Sequence, residues 1–482
     1  MRIVIHESIK EKTDYASLNP PFEGFKVNHL CNLIRYIQIA TSHNQGKLKN
    51  DYVTLCAKYL RDVVHDYEPY LHWMQDNEIL TVNKQFIVGK MCRQYKLIMP
   101  QPTYGEDLDV ERFRQVQLKT TKGISKVTNS AKNSKGIEFL YRHLSRLTID
   151  ERQAYDISES IFQQDLKTTR YKNKKGKYSY YQAKVNPLVS LNHRKNSIVS
   201  IAESKFMMTR DETSGRVHTN LTSLTSALFP TLRYNDAPLI GYDIANSQPF
   251  LLAVLINYLI NLDDSEKGKA IKIHSKHHYN THNNQYNNPN TPYQHITNHK
   301  STLNQYLHHY TKSNIPKIFN TIMIVKKEET LDMKEIELFI ECCCSGGFYK
   351  EMAKHVFECE YTPNESRKIK DFVFTLLFTK PGNNKGGVSK FKKRFSSIHK
   401  LICGIKNSSD DPSFLPVLLQ SLESYYIIER VCKRINKENP RMPLYTKHDS
   451  IYTIPKHKEK LRLIMEEEAI TLFSKLPVLR ES

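Results

Sequence analysis

The sequence predicts an α+β chain, with an antiparallel sheet assembled from strands far apart in sequence and helical regions around it. Three observations predict this. Apolar residues recur at helical spacing through residues 25–100, as in VNHLCNLIRYIQIA and VTLCAKYLRDVVHDYEPYLHWM. The stretch APLIGYDIANSQPFLLAVLINYL (237–259) reads as a short buried strand running into a helix. Near the far end, PLYTKHDSIYTIP (443–455) places two strand-forming runs on either side of a turn, the pattern of a β-hairpin.

The chain has 482 residues, enough for two to four structural units. Its 71 Lys and Arg against 50 Asp and Glu leave a formal charge of +21, which favours a polyanionic partner because each neutralised phosphate releases counterions. The nine cysteines contain no CxxC pair and no regular spacing, which argues against a zinc ribbon or a disulfide scaffold. Cys342, Cys343 and Cys344 read as part of a packed helix. The opening MRIVIHESIKEK has no apolar signal core, and FLLAVLINYLI (250–260) is too short to span a bilayer. A cytoplasmic protein with no membrane association is expected.

From Leu166 to Ala202 there is no acidic residue, and within this span TTRYKNKKGKYSYYQAK interleaves basic residues with four tyrosines. Basic groups track a phosphate backbone and rings stack on bases, so Lys172, Lys174, Lys175 and Tyr178 are candidate nucleic-acid contacts. Eight of the 20 histidines fall between His274 and His309 in a His- and Asn-rich stretch nearly devoid of aliphatic residues, which reads as a polar insertion. NNKGG (383–387) marks a further break.

Asp243 stands where the 239–243 strand ends and the next helix begins, with Asn246 or Ser247 as N-cap and Pro249 in the first turn. Asp449 stands at the bend of the 443–455 hairpin. A carboxylate at each of two adjacent strand ends suits a pair of magnesium ions, which take few protein carboxylates and complete their shells with water and phosphates. A third segment, NESRKIKDFVFTLLFTK (364–380), spaces Lys370, Phe374 and Phe378 at i, i+4 and i+8, with Arg367 on nearly the same face. Positive charge early in such a helix with rings further on fits a nucleoside triphosphate.

In this order the three segments resemble the A-family DNA polymerases and their relatives, the single-subunit RNA polymerases of phages and mitochondria. YDIANSQP resembles the first palm motif, which implies a metal-binding role for Asp243. The Arg367–Phe378 segment resembles the fingers helix, which implies nucleotide contacts from Arg367, Lys370, Phe374 and Phe378. KHDSIYTIP resembles the last palm motif, in which Asp449 would complete the metal site and His448 would lie at the primer end. TSGRVHTNLTSL (213–224) is similar to the Thr-Gly-Arg-Leu-Ser-Ser stretch, implying a primer or template contact for Arg216. SGGFYKEMAKHVF (345–357) resembles the segment ahead of the fingers helix. LLQSLESYYIIERV (418–431) resembles the helix whose Gln reads the minor groove, here Gln420. The resemblance covers roughly residues 207–460.

The resemblance implies a right-hand polymerase fold with an antiparallel palm and helical fingers. A mostly helical, basic, thumb-like region would occupy 1–200 and the first palm part 201–262. The polar insertion follows at 263–312, the fingers at 313–400 and the second palm part at 401–482. It implies template-directed nucleotidyl transfer with two Mg2+ ions, Mn2+ substituting, on a primer-template with nucleoside triphosphates. No exonuclease pattern is present, which with the compact size points to a phage, plasmid or mobile-element enzyme. Three departures bear on sugar choice. Gln248 stands where the DNA enzymes have Glu, Ser450 follows Asp449 as in the RNA polymerases, and Phe378 replaces the Tyr that ends the fingers helix. The Arg216 and 345–357 segments follow the DNA enzymes, so deoxynucleotides are expected. The alternatives are an RNA polymerase of the single-subunit type and a basic, non-catalytic nucleic-acid-binding replication protein.

Overall fold

The computed structural model describes residues 2–43, 52–83, 92–99, 113–117, 136–168, 170–172, 178–180, 186–261, 303, 331–383, 387–411 and 413–482. Lys174, Lys175 and, apart from Leu303, the His-rich insertion lie outside them. The fold is α+β, with antiparallel sheets and helical regions. Two compact units divide the chain, Met1–Thr209 with His218–Leu239, and Arg210–Val217 with Ile240–Ser482.

In the first unit, β1 (Arg2–His6) and β5 (Phe113–Gln117) pair antiparallel, while β2 (Val53–Thr54), β3 (Leu80–Asn83) and β4 (Gln94–Leu97) form a sheet in the order β2-β4-β3. The 25–100 region is therefore not helical throughout. Helices run Val27–His43, Ala57–Val63 and Glu68–Asp76, but Leu80, Val82, Tyr95 and Leu97 turn to alternating strand pattern and join Leu30, Ile34 and Ile37 in one core. The Pro187–Ala202 helix starts where its sequence says it should. Pro187 occupies the first turn, and the Asn186 side chain accepts the Leu188 amide at 2.9 Å. Asn196 of this helix is buried, donates to the Val4 carbonyl and accepts the Val4 amide, so it ties β1 to the helix.

Cys56 and Cys92 form a disulfide, with their Cα atoms 5.3 Å apart. Cysteine spacing does not foretell it, because the two stand 36 positions apart and are brought together by the β2–β4 pairing next door. Further along, β6 (Leu147–Ile149) pairs with β11 (Leu232–Tyr234), which carries β12 (Ala237–Pro238). The strands β7 (Arg170–Lys172) and β8 (Tyr178–Tyr180) make a hairpin in which Lys172 and Tyr178 are register partners. Between them and β11, β9 (Met208–Arg210) and β10 (Val217–Thr219) flank the stretch assigned to the second unit.

The second unit is organised by β13 (Ile240–Ile244), β14 (Tyr445–Lys447), β15 (Ser450–Thr453) and β16 (Leu479–Glu481), in the order β14-β15-β13-β16 and antiparallel throughout. Gly241 allows β15 to come close, since a Cβ there would meet the Ile451 carbonyl at 2.5 Å and the Tyr452 ring at 2.6 Å. The Ser247–Ile260 helix follows β13 and is apolar on nearly every side, so it is buried from Pro249 to Ile256. The Met333–Cys344 and Phe414–Ser424 helices pack on it. Cys342 and Cys343 are buried in the first of these, as the packed-helix reading expects. Among the described residues, no helix is long and apolar enough to cross a membrane.

Candidate active site

Asp243 is the penultimate residue of β13. Its register partner on β15 is Ser450 and on β16 is Arg480, so the strand enters the site from the middle of the sheet. Asp449 belongs to the two-residue connection between Lys447 and Ser450, where exposed His448 takes the left-handed region at φ 54°. The aspartates, 206 residues apart in sequence, thus lie at the same end of adjacent strands. Both are partly buried. Burial pushes the Asp449 carboxyl up to about 7, with the Glu423 and Asp243 carboxylates acting in the same direction and Arg216 opposing. Burial also raises Asp243, against the pull of Arg480.

Glu423 is the residue that motif reading passes over. Its side chain is 2% exposed and accepts hydrogen bonds from the Arg216 guanidinium, from Ser247 Oγ at 2.7 Å and from Gln248 Nε2 at 2.7 Å. Arg216 and Gln248, both singled out from sequence, therefore meet on one buried carboxylate that also bears on Asp449. A signal for it is present in the sequence. Leu415, Leu419, Glu423, Ile427 and Val431 recur every four residues, and all are buried, so an acid interrupts an apolar face. Gln420 lies on the same helix, half-buried, one turn before Glu423.

Several polar atoms around this carboxylate are buried without a hydrogen-bond partner among the described residues. They are Arg216 Nε and Gln248 Oε1, on two of its partners, and both side-chain polar atoms of Asn246, next to the third. Asn246 is also the N-cap of the Ser247–Ile260 helix. It sits at φ 58°, a conformation costly for a non-glycine residue, and its side chain makes no capping bond. Unpaired polar groups and a strained turn thus collect directly after Asp243.

The Pro363–Phe378 helix begins on Thr362, whose side chain accepts the Glu365 amide, with Pro363 in its first turn. Ile369, Phe372, Val373, Leu376 and Leu377 form its buried face. The opposite face presents Lys370, Phe374 and Phe378, the set expected from their spacing. Phe374 is 60% and Phe378 39% exposed, large for phenylalanine, and their rings stand 5.2 Å apart. Lys370 Nζ lies 5.8 Å from the centre of the Tyr349 ring, and burial, followed by Tyr361 and the Asp449 carboxylate, raises the Tyr349 phenol. Arg367 belongs to this helix. At its far end, buried Lys406 donates to the carbonyls of Leu376 and Thr379, closing the last turn.

No protein-family model matches this chain, and no curated protein matches it. Among solved structures it is similar to the POL domain of Pol1 from M. smegmatis, determined in complex with a DNA primer-template and dNTP. The identity is 10% and the TM-score 0.33, over 75% of this chain and 71% of that one. The likeness is weak on both measures.

Proposed function

We propose that this protein is a template-directed nucleotidyltransferase that extends a primer from deoxynucleoside triphosphates. The observation that carries the reading is the meeting of Asp243 and Asp449 on adjacent strands of one antiparallel sheet, at the exit of β13 into a buried helix. Two partly buried carboxylates, both raised by burial and Asp449 further by Glu423 and Asp243, are a donor set that cations stabilise, and the unpaired Asn246, Gln248 and Arg216 atoms beside them fit a site built around a ligand.

In this reading Asp243 and Asp449 hold Mg2+, with Mn2+ able to substitute, which when bound supplies Lewis-acid activation of the 3′-hydroxyl and neutralises charge on the departing pyrophosphate. Lys370 and Arg367 stabilise the triphosphate charge, and Phe374 and Phe378 offer ring faces to the base and sugar. Glu423 holds Arg216 and Gln248 in place, with His448 and Gln420 toward the primer end. The charge of +21 and the Lys172–Tyr178 stretch serve the nucleic acid.

Primer extension with Mg2+ tests this, comparing dNTPs with rNTPs on a DNA template. Wild-type protein extends the primer, and Asp243→Asn and Asp449→Asn each fall by at least about 10²–10³-fold while keeping primer-template affinity. Preference for rNTPs would move the assignment to an RNA polymerase. Tight binding with no incorporation of either would favour a non-catalytic nucleic-acid-binding protein.

A further inference from the structure

The geometry points to a second cation site, independent of the aspartate pair, formed by Cys342, Glu351 and His355 and suited to zinc. One ligand atom from each lies within 4.8 Å of the other two, and among the described residues no other set of three or more metal-ligating side chains converges this way. Cys342 comes from the last turn of the Met333–Cys344 helix. Glu351 sits on the Phe348–Met352 helix and His355 on the π-turn Ala353–Phe357 that continues it. The widened π-turn is a rare element that recurs at functional sites. Gly346, at φ 72°, turns the chain between the two arms.

Thiolate, imidazole and carboxylate together are zinc chemistry rather than magnesium chemistry. Ligand atoms about 2.0–2.3 Å from a tetrahedral ion stand roughly 3.5 Å apart. His355 Nε2 and Glu351 Oε2 are already 3.2 Å apart, so small side-chain rotations close the set. Cys342 is 3% exposed, and Glu351 is open enough at 36% for water to take the fourth position. Burial, then the Glu351 and Glu341 carboxylates, push the Cys342 thiol up to about 11, against Arg394. The same carboxylates draw a cation in, and a bound cation releases the thiol proton as the S–metal bond forms. Such an ion would clamp the Met333–Cys344 helix to the segment bearing Tyr349, against which Lys370 rests.

Cobalt(II) titration of the full chain, under inert gas and without a thiol reductant so that the Cys56–Cys92 disulfide stays closed, reads this directly. A thiolate ligand adds a sulfur-to-cobalt charge-transfer band in the near ultraviolet. The histidines of residues 274–309 cannot produce it, because residues 263–312 contain no cysteine. The band is expected in the wild type, to be displaced by zinc and to vanish in Cys342→Ser. His355→Gln should weaken cobalt affinity by more than the 10–100-fold typical of outer-shell changes. Absence of the band in the wild type, its persistence in Cys342→Ser, or unchanged affinity in His355→Gln each overturns the site. Should Cys342→Ser fail to fold by circular dichroism, His355→Gln, at a side chain that is only partly buried, decides alone. None of these readouts involves nucleotide transfer, so the result stands apart from the polymerase assignment.

Discussion

Asp243 and Ser450 are direct register partners across β13 and β15, which sets Asp449 one residue beyond the ladder and beside Asp243. This places like charges together at a partly buried point, and a stability cost follows.

Because the Asp449 carboxyl is raised in the folded protein, the native state binds protons more tightly than the unfolded chain. Stability is therefore lost as pH rises from about 4 through 7, and the deficit is complete above that. Asp449→Asn should be more stable than wild type at pH 8 by about 1–2 kcal/mol after allowing for solvent screening, with the advantage shrinking towards pH 4. Mg2+ should raise the melting temperature of the wild type and not of the variant. Thermal unfolding with and without Mg2+ at both pH values measures this, and an Asn variant less stable at pH 8 would contradict it.

Glu423 satisfies three donors from a position sealed from solvent. Glu423→Ala strands the Arg216 guanidinium and should cost about 3–5 kcal/mol, whereas Glu423→Gln, which keeps an acceptor, should cost about 1–2. A double-mutant cycle with Arg216→Met should give a coupling of about 1–3 kcal/mol by denaturant unfolding. Additive effects would mean the contact is not formed in solution.

Gly241→Ala drives a methyl group into the Ile451 carbonyl and the Tyr452 ring. The strands β13 and β15 must part or shift, at a cost of about 1–3 kcal/mol. Limited proteolysis should show the sheet region cut faster, and the proposed primer extension should fall with it, although neither aspartate is altered. Wild-type protease resistance would show that the two strands are not packed this closely.

In the first unit, His143 is 4% exposed, and burial followed by Arg142 and Arg146 lowers its ring to about 4. The unfolded chain takes up this proton at about 6.5, so stability is whole above 6.5 and falls as pH drops towards 4. The loss attributable to His143 should approach but not exceed about 3 kcal/mol. Comparing wild type with His143→Gln across pH 4.5–7.5 isolates it. Parallel pH profiles would rule it out.

The parts of the site that rest on local pattern were legible. The strand ending near Asp243, the helix starting at Asn246, the hairpin bearing Asp449 and the shared face of Lys370, Phe374 and Phe378 each follow from spacing that one short window contains. What escaped depends on partners distant in sequence. Glu423 shows in the sequence only as an acid on an apolar face, and what it does there emerges when Arg216 and Gln248 arrive beside it. Cys56 and Cys92 look unrelated until the β2–β4 sheet joins their neighbourhoods. Leu80–Asn83 and Gln94–Leu97 are too short for alternation to outweigh the helical pattern around them, and pairing with each other decides their state.

The order of the second sheet has a consequence for how the molecule comes into being. β13 lies between two strands that leave the ribosome more than 200 residues after it. During synthesis its edges must wait unpaired, because no local turn can supply a neighbour and the closing of so long a loop is slow. A chain halted before the hairpin carries Asp243 without Asp449. The aspartate pair therefore cannot exist in such a fragment, and refolding from denaturant should be governed by the rate at which this one strand finds its late-arriving neighbours.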